Sequence, residues 1–177
     1  YEVEETWSYL PSEYQARRPL PVTLKPEDVP YMAPMNAFWL IDARVVNPTS
    51  GRGCVQVGTP LTAVHAQRKT FSLGSQSLMD VDARLRDLDR VGVDLQVVYP
   101  SLCVFVPLTK DDAFETALLR SYNTWIAKRC GERPDRLKWV AALSLREPAE
   151  AAREVRRVKE LGAVGVMTGG SAEDTFL

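Results

Sequence analysis

A single histidine, His65, limits the metal chemistry that these residues could support on their own. Zinc and related ions are held by several imidazole, thiolate or carboxylate groups at once. No second ligand stands at helical or strand spacing from His65, so it reads as an ordinary loop residue. Four carboxylates, Asp80, Asp87, Asp89 and Asp94, lie close together. Asp87 and Asp89 fall on the outer side of an expected helix beside Arg84, Arg86 and Arg90, which predicts a solvated, salt-bridged face rather than an acid–base pair. Asp94 alternates with apolar neighbours and is expected to be buried against an arginine or backbone donors. The three cysteines, Cys54, Cys103 and Cys130, are odd in number and widely spaced, which suits free thiols better than disulfides or a zinc site. Cys103 has no histidine or lysine beside it to activate it and reads as inert. Gly169-Gly170 lacks the lysine of a P-loop and predicts a tight turn.

What must position any reactive group is a repeated pattern. Three times an amphipathic helix ends at a glycine and an apolar strand follows. Gly92 precedes a strand over 93–100, Gly131 leads through a short linker to one over 137–145, and Gly162 precedes one over 163–170. Apolar strands spaced by helices fit a parallel sheet covered on both faces. Right-handed crossovers place the three side by side in chain order. Asp80 is expected to cap the first helix, with Val81, Leu85 and Leu88 turned inward. The second helix begins near Thr109 to Asp112 and aligns Phe114, Leu118, Tyr122 and Trp125. Pro148 suits the first turn of the third, whose inner face is Ala151, Val155 and Val158. A doubly wound sheet and a β/α barrel both accommodate this pattern, though no G-x-G-x-x-G follows a strand. Three strands are too few to finish a common α/β fold, so the chain is expected to be cut at both ends.

Residues 1 to about 35 are rich in proline and aromatics, predicting an arm that wraps a larger body with a short helix around Glu4 to Leu10. A strand is expected over 38–46, a turn over 47–51, and a returning hairpin strand at Cys54 to Val57. Residues 58–79 read as loop. This divides the chain into residues 1–79, arm, hairpin and loop, and residues 80–177, three helix–strand units. Trp7, Phe38 and Trp39 would leave an apolar patch on such an arm, which predicts packing against a second subunit and hence a homodimer.

Composition excludes several classes. The 177 residues carry 22 basic and 23 acidic side chains, a net charge of −1, with no basic block, which argues against a nucleic-acid partner. No apolar run reaches membrane-spanning length. Cysteine usage predicts a cytoplasmic protein.

Several motifs together resemble a known family. They are the run from Arg84 to Ser101 (RLRDLDRVGVDLQVVYPS), Tyr122-Asn123-Thr124-Trp125, Pro134-Asp135-Arg136-Leu137-Lys138, and the run from Glu160 to Met167 (ELGAVGVM). In that order they resemble the amidohydrolase group related to aminocarboxymuconate semialdehyde decarboxylase, most strongly from Asp80 to Met167. The opening Tyr1 to Trp7 also resembles the segment after that family's first strand, with Val3 where the family has proline.

The resemblance implies part of a (β/α)8 TIM-type barrel, with an N-terminal proline-rich arm and an inserted β-hairpin. It implies a divalent metal ion, zinc first and iron or manganese as alternatives. The family's ligand positions would lie before Tyr1 and beyond Leu177, so no metal ligand and no catalytic residue is assigned within residues 1–177. Reactive groups in such barrels sit at strand carboxyl ends. The pocket candidates are therefore Tyr1, Glu2, Tyr99, Ser101, Met167 and Thr168, with Ser144 and Arg146 nearby. Ser101 reads as a donor to a substrate carboxylate or a turn cap. Arg146 reads as a partner for a substrate anion or for Glu147 or Glu150, and Met167 as pocket wall or core. Asn123 and Trp125 read as helix packing. The implied function is hydrolysis of a small carbonyl or ester substrate by metal-activated water. The alternative is non-oxidative decarboxylation of a carboxylated aromatic or muconate-like substrate. A reading from another class is a catalytically inactive α/β interaction domain.

Overall fold

Two short 3₁₀ helices, Glu4–Tyr9 and Ser12–Arg17, open the fold, a computed structural model that describes residues 3–23, 37–46, 71–104, 107–169, 171–172 and 175–176. The first is the short helix expected near the N-terminus. The second, and the strand β1 (Leu20–Thr23) after it, carry no periodic signal. Pro21 fits β1 because β1 is an edge strand, where a missing N–H costs no ladder bond. β1 pairs antiparallel with β2 (Ala37–Ile41), and β2 with β3 (Arg44–Val46).

The hairpin differs from expectation. The stretch expected as one strand over 38–46 reverses at Asp42-Ala43, where φ is +46° and +57°, and Ile41 faces Arg44 across the turn. Two left-handed central residues match the twist of the flanking strands, which is why two-residue hairpins favour them. Asp42 tolerates that region because Arg17 and Thr109 fix its carboxylate. The expected turn over 47–51 and strand at Cys54 to Val57 lie outside the described residues, as does His65. Ala43 carries a Cβ in a conformation that costs an L-residue about 1–2 kcal/mol. Ala43→Gly is therefore expected to raise urea stability by up to about 1 kcal/mol, after the entropy gained by the unfolded glycine chain is subtracted. A lower denaturation midpoint would contradict the strained turn.

Part of the stretch read as loop is helical: α1 (Leu73–Gln76) is a single turn whose Ser75 amide donates to the Ser72 hydroxyl at 3.1 Å. Asp80 caps α2 (Val81–Arg90), accepting from the Ala83 amide at 2.8 Å, and Val81, Leu85 and Leu88 are buried as the pattern predicts. After α2, Gly92 takes φ +72° and the Val93 amide returns to the Leu88 carbonyl at 2.9 Å, a left-handed stop that glycine permits. Gly162 does the same after the third long helix. Gly131 does not: it is the last residue of a helix, with no positive φ.

Strand β4 (Gln96–Val98) leads through a loop to α3 (Asp112–Gly131), then β5 (Leu137–Leu143), α4 (Pro148–Glu160) and β6 (Gly165–Thr168). β4, β5 and β6 are parallel and neighbours in chain order, an α/β arrangement. Short strands β7 (Ser171–Ala172) and β8 (Thr175–Phe176) pair antiparallel with each other.

Three expectations of burial are corrected. Asp94 is exposed; it is its backbone carbonyl that accepts from Arg136 Nε, at 2.5 Å. Val155 is 39% exposed, and the inner face of α4 is Ala151, Glu154 and Val158, because Asn123 and Arg157 draw the Glu154 carboxylate inward. Trp7 and Trp39 are buried within this chain, their rings edge to face at 5.6 Å. The aromatic patch that suggested a second subunit is thus covered at these two residues.

Helix α3 is the centre of the core. It was expected to bury one stripe, yet Phe114, Ala117, Leu118, Leu119, Tyr122, Trp125 and Ile126 are all buried. A helix apolar most of the way round must be covered on several sides. The segment Glu4–Tyr9 covers one of them, where the Ser121 hydroxyl donates to the Thr6 carbonyl at 2.6 Å and Arg129 meets Glu5 at 2.5 Å. β5 lies on another, with Leu137, Trp139 and Ala141 in the same core cluster as Trp7 and Leu10.

Candidate functional site

In parallel α/β units the reactive end is the carboxyl end of the strands. Side chains alternate between faces along a strand, so register sorts the expected residues. Val97 pairs with Lys138 and Met167 with Ala142, which puts Val97, Tyr99 and Met167 on one face of the sheet. Val98 pairs with Trp139 on the other face, where both join the core. Exposure follows the alternation: Val97 is 40% exposed, Val98 1% and Tyr99 55%. Thr168 pairs with Leu143 and so alternates to the face opposite Met167. Along β6 the exposure runs the other way: Val166 is 48% exposed and Thr168 is exposed, while Met167 is half-buried and its register partner Ala142 is buried. The face that Tyr99 and Met167 share is therefore open at Tyr99 only. Ser101 is half-buried at the entry to a 3₁₀ turn, Leu102–Val104. The Ser144 hydroxyl accepts from the Arg146 amide at 3.4 Å, a turn contact. Tyr1 and Glu2 lie outside the described residues.

The loop from β4 to α3 is held near its end by Thr109, which is 2% exposed. The Thr109 hydroxyl donates to the Asp42 carboxylate and accepts from the Asp111 amide at 3.2 Å. Its carbonyl accepts from Arg146 Nη1 at 2.7 Å. Arg146 also donates to the Lys110 carbonyl at 3.1 Å, pairs with Asp112, and stands 3.6 Å from Glu115. Arg146 thus ties the end of β5 to the start of α3. Glu115, fully buried, accepts from the Leu108 amide at 2.7 Å.

On the other side of Thr109, Arg17 forks onto Asp42 at 2.9 and 3.1 Å, reaches Asp111 at 2.8 Å, and lies 4.0 Å over the Phe114 ring. The guanidinium, with the Phe114 amide, holds the Asp111 carboxyl below its ordinary range; Asp111 and then Asp42 raise Arg17 in return. Sequence reasoning did not single out Arg17, Asp42, Thr109 or Glu115. Only Glu115 left a local trace, a charged residue directly after Phe114 in the first turns of α3.

At the same end of β5, Asn123 supplies a second fastening. β4 pairs with β5 only as far as Trp139, so beyond it one edge of β5 has no strand beside it in this sheet. The Asn123 side chain accepts from the Ala142 amide at 2.9 Å and donates to the Ala142 carbonyl at 3.0 Å and to Glu154 Oε1 at 3.0 Å. The carboxamide thereby replaces a strand neighbour for one residue.

The remaining sequence candidates are structural. Asp80 is a helix cap, Asp87 accepts from the Ser75 hydroxyl at 2.5 Å, and Asp89 pairs with Arg136 at 2.6 Å. The partners named for Asp87 and Asp89 come from other elements of the fold. Cys103 and Cys130 are buried, and burial pushes the Cys130 thiol up to about 12. Among the described residues no group of three His, Cys, Asp or Glu side chains could hold a metal ion, so these residues alone do not form a metal centre. None of the described helices is long and apolar enough to cross a membrane.

No family model matches the chain. A gamma-resorcylate decarboxylase of Polaromonas sp. (strain JS666 / ATCC BAA-500) is 35% identical over 102 residues, which is 55% of this chain and 30% of that protein. Among solved structures, 2,6-dihydroxybenzoate decarboxylase complexed with 2,6-dihydroxybenzoate is 27% identical, with a TM-score of 0.45 over 54% of this chain and 31% of that one. A dihydroxybenzoic acid decarboxylase from Polaromonas sp. JS666, with bound manganese and the inhibitor 2-nitroresorcinol, is 24% identical, with a TM-score of 0.46 over 63% and 35%. The matched stretch spans about 30% of the length of the curated relative. Relatives of this chain, at that partial coverage, are members of the amidohydrolase or metal-dependent hydrolase superfamily, the group its motifs resemble.

Proposed function

We propose that this chain, a relative of amidohydrolase-superfamily decarboxylases over about half its length, belongs to an enzyme that removes carbon dioxide from a carboxylated aromatic substrate. The observation that carries the reading is the 35% identity over 102 residues to a gamma-resorcylate decarboxylase. Hydrolysis, which the motifs placed first, yields to this alternative because the curated relative is a decarboxylase. In the reaction the bond from ring carbon to carboxylate breaks and carbon dioxide leaves. The electron pair stays on the ring carbon, which takes up a proton.

The three parallel units are read as an arc of a (β/α)8 barrel, with residues 80–177 as barrel units and residues 1–79 as the element before them. Support comes from the chain-order pairing of β4, β5 and β6 and from the family motifs. Tyr99 and Met167 line the substrate side, Ser101 stands beside them, and Tyr1 and Glu2 join by motif position. Thr168, exposed on the face opposite Met167, completes the expected set. A divalent metal, zinc, manganese or iron, supplies a Lewis acid when bound; the described residues hold no cluster of three ligands by themselves, and the motifs put its ligands mostly outside them. A homodimer and a cytosolic location remain part of the proposal, the former without the aromatic patch that first suggested it.

The test uses the full-length protein, stripped with a chelator and supplied with manganese or zinc. Incubation with 2,6-dihydroxybenzoate is expected to release carbon dioxide in step with loss of the aromatic acid. Intact acid together with cleavage of an ester of that acid would restore the hydrolase reading. Neither activity would leave the interaction domain.

A further inference from the structure

One buried residue joins three parts of the chain that are remote in sequence. Thr109 binds the Asp42 turn through its side chain, the α3 cap through Asp111, and the end of β5 through its carbonyl and Arg146. We propose that Thr109 is a positioning residue for the strand-end site: it locks the antiparallel sheet and the end of β5 to the segment over 107–111, and so fixes that segment as a wall of the substrate mouth. The inference rests on the strand-end face being the substrate site.

Three observations carry it. Thr109 is buried, so water does not compete for its bonds, and a satisfied buried polar group specifies one arrangement. The Asp42-Ala43 turn is left-handed at two residues that are not glycine, a conformation that persists where surroundings over-determine it. Here the surroundings are Arg17 and Thr109. Finally, Arg17 and Arg146 are engaged by Asp42, Asp111, Asp112 and Glu115. The charges of these two arginines are therefore matched within the joint, and what Thr109 controls is the shape and rigidity of the wall. Loops on a rigid scaffold are where such discrimination resides.

Thr109→Val keeps the shape and removes the hydroxyl; Thr109→Ser keeps the hydroxyl. In full-length enzyme, Thr109→Val is expected to raise KM for 2,6-dihydroxybenzoate about tenfold with kcat nearly unchanged, because misplacing a wall weakens binding more than chemistry. Amide exchange over 37–46 is expected to accelerate about tenfold while that of α3 holds, since only the joint is loosened. Thr109→Ser is expected to behave as wild type in both. A serine variant as impaired as the valine one, or equal falls in kcat and kcat/KM, would overturn the proposal. Should the wild-type enzyme release no carbon dioxide, the decarboxylase reading fails by itself and exchange decides the joint. Unchanged hairpin protection in Thr109→Val then overturns it, and selective loss supports it.

Discussion

Trp7→Ala is expected to destabilise the protein by about 3–5 kcal/mol in urea denaturation, the range for removing a fully buried large aromatic side chain. Trp7 has no exposed surface and meets Trp39 edge to face at 5.6 Å, a geometry that adds to area burial. Its neighbours on the same 3₁₀ helix are fastened separately: the Thr6 carbonyl by Ser121, and Glu5 by Arg129. The cavity therefore cannot close by simple movement of the segment, which places the cost toward the upper end. A second outcome separates this packing from the subunit contact suggested by sequence. If Trp7 belongs to this chain's own core, the variant unfolds at lower urea with unchanged native mass by light scattering. A loss of mass without a shift in midpoint would return Trp7 to an interface.

That contrast shows which parts of the fold were legible. The cap and stripe of α2 depend on residues within three turns of one another, and Asp80, Val81, Leu85 and Leu88 behave as their spacing demands. The order of β4, β5 and β6 follows from short connections and the handedness of crossovers. Where a distant partner decides, local pattern fails. Val155 and Glu154 exchange roles on α4 because Asn123 on another helix binds Glu154. The hairpin turns at Asp42-Ala43 without the usual glycine because Arg17 and Thr109 supply what glycine would have made unnecessary.

The candidate site divides the same way. Alternation along β4 is enough to predict that Tyr99 follows Val97 to the exposed side, and register sets Met167 on the same face, although it is half-buried there. The same alternation puts Thr168 on the other face, where it too is exposed, which counting from a strand end does not reveal. Arg146 lies where a substrate-binding cation would be expected, yet its partners are the carbonyls of Thr109 and Lys110 and the carboxylates of α3. No spacing in the sequence announces those contacts.

Asn123→Ala is expected to cost about 3–6 kcal/mol, from three buried groups each left unmatched at about 1–3 kcal/mol. Those groups are the Ala142 amide, the Ala142 carbonyl and the Glu154 oxygen that the carboxamide now meets. Both side chains lie in the interior, so water does not readily replace the lost bonds. Glu154 keeps Arg157 at 2.6 Å, which limits the penalty on its charge. Asn123→Asp is the sharper variant. It preserves volume and one acceptor for the Ala142 amide, but it removes the donor to the Ala142 carbonyl and sets a second carboxylate against Glu154. At neutral pH it should be at least as damaging as alanine, and the gap between the two should narrow in mild acid as the introduced carboxylate takes up a proton. Denaturation midpoints of both variants at two pH values check this. An aspartate variant milder than alanine at pH 7 would mean that Asn123 acts by filling space, and that the end of β5 is held without its amide.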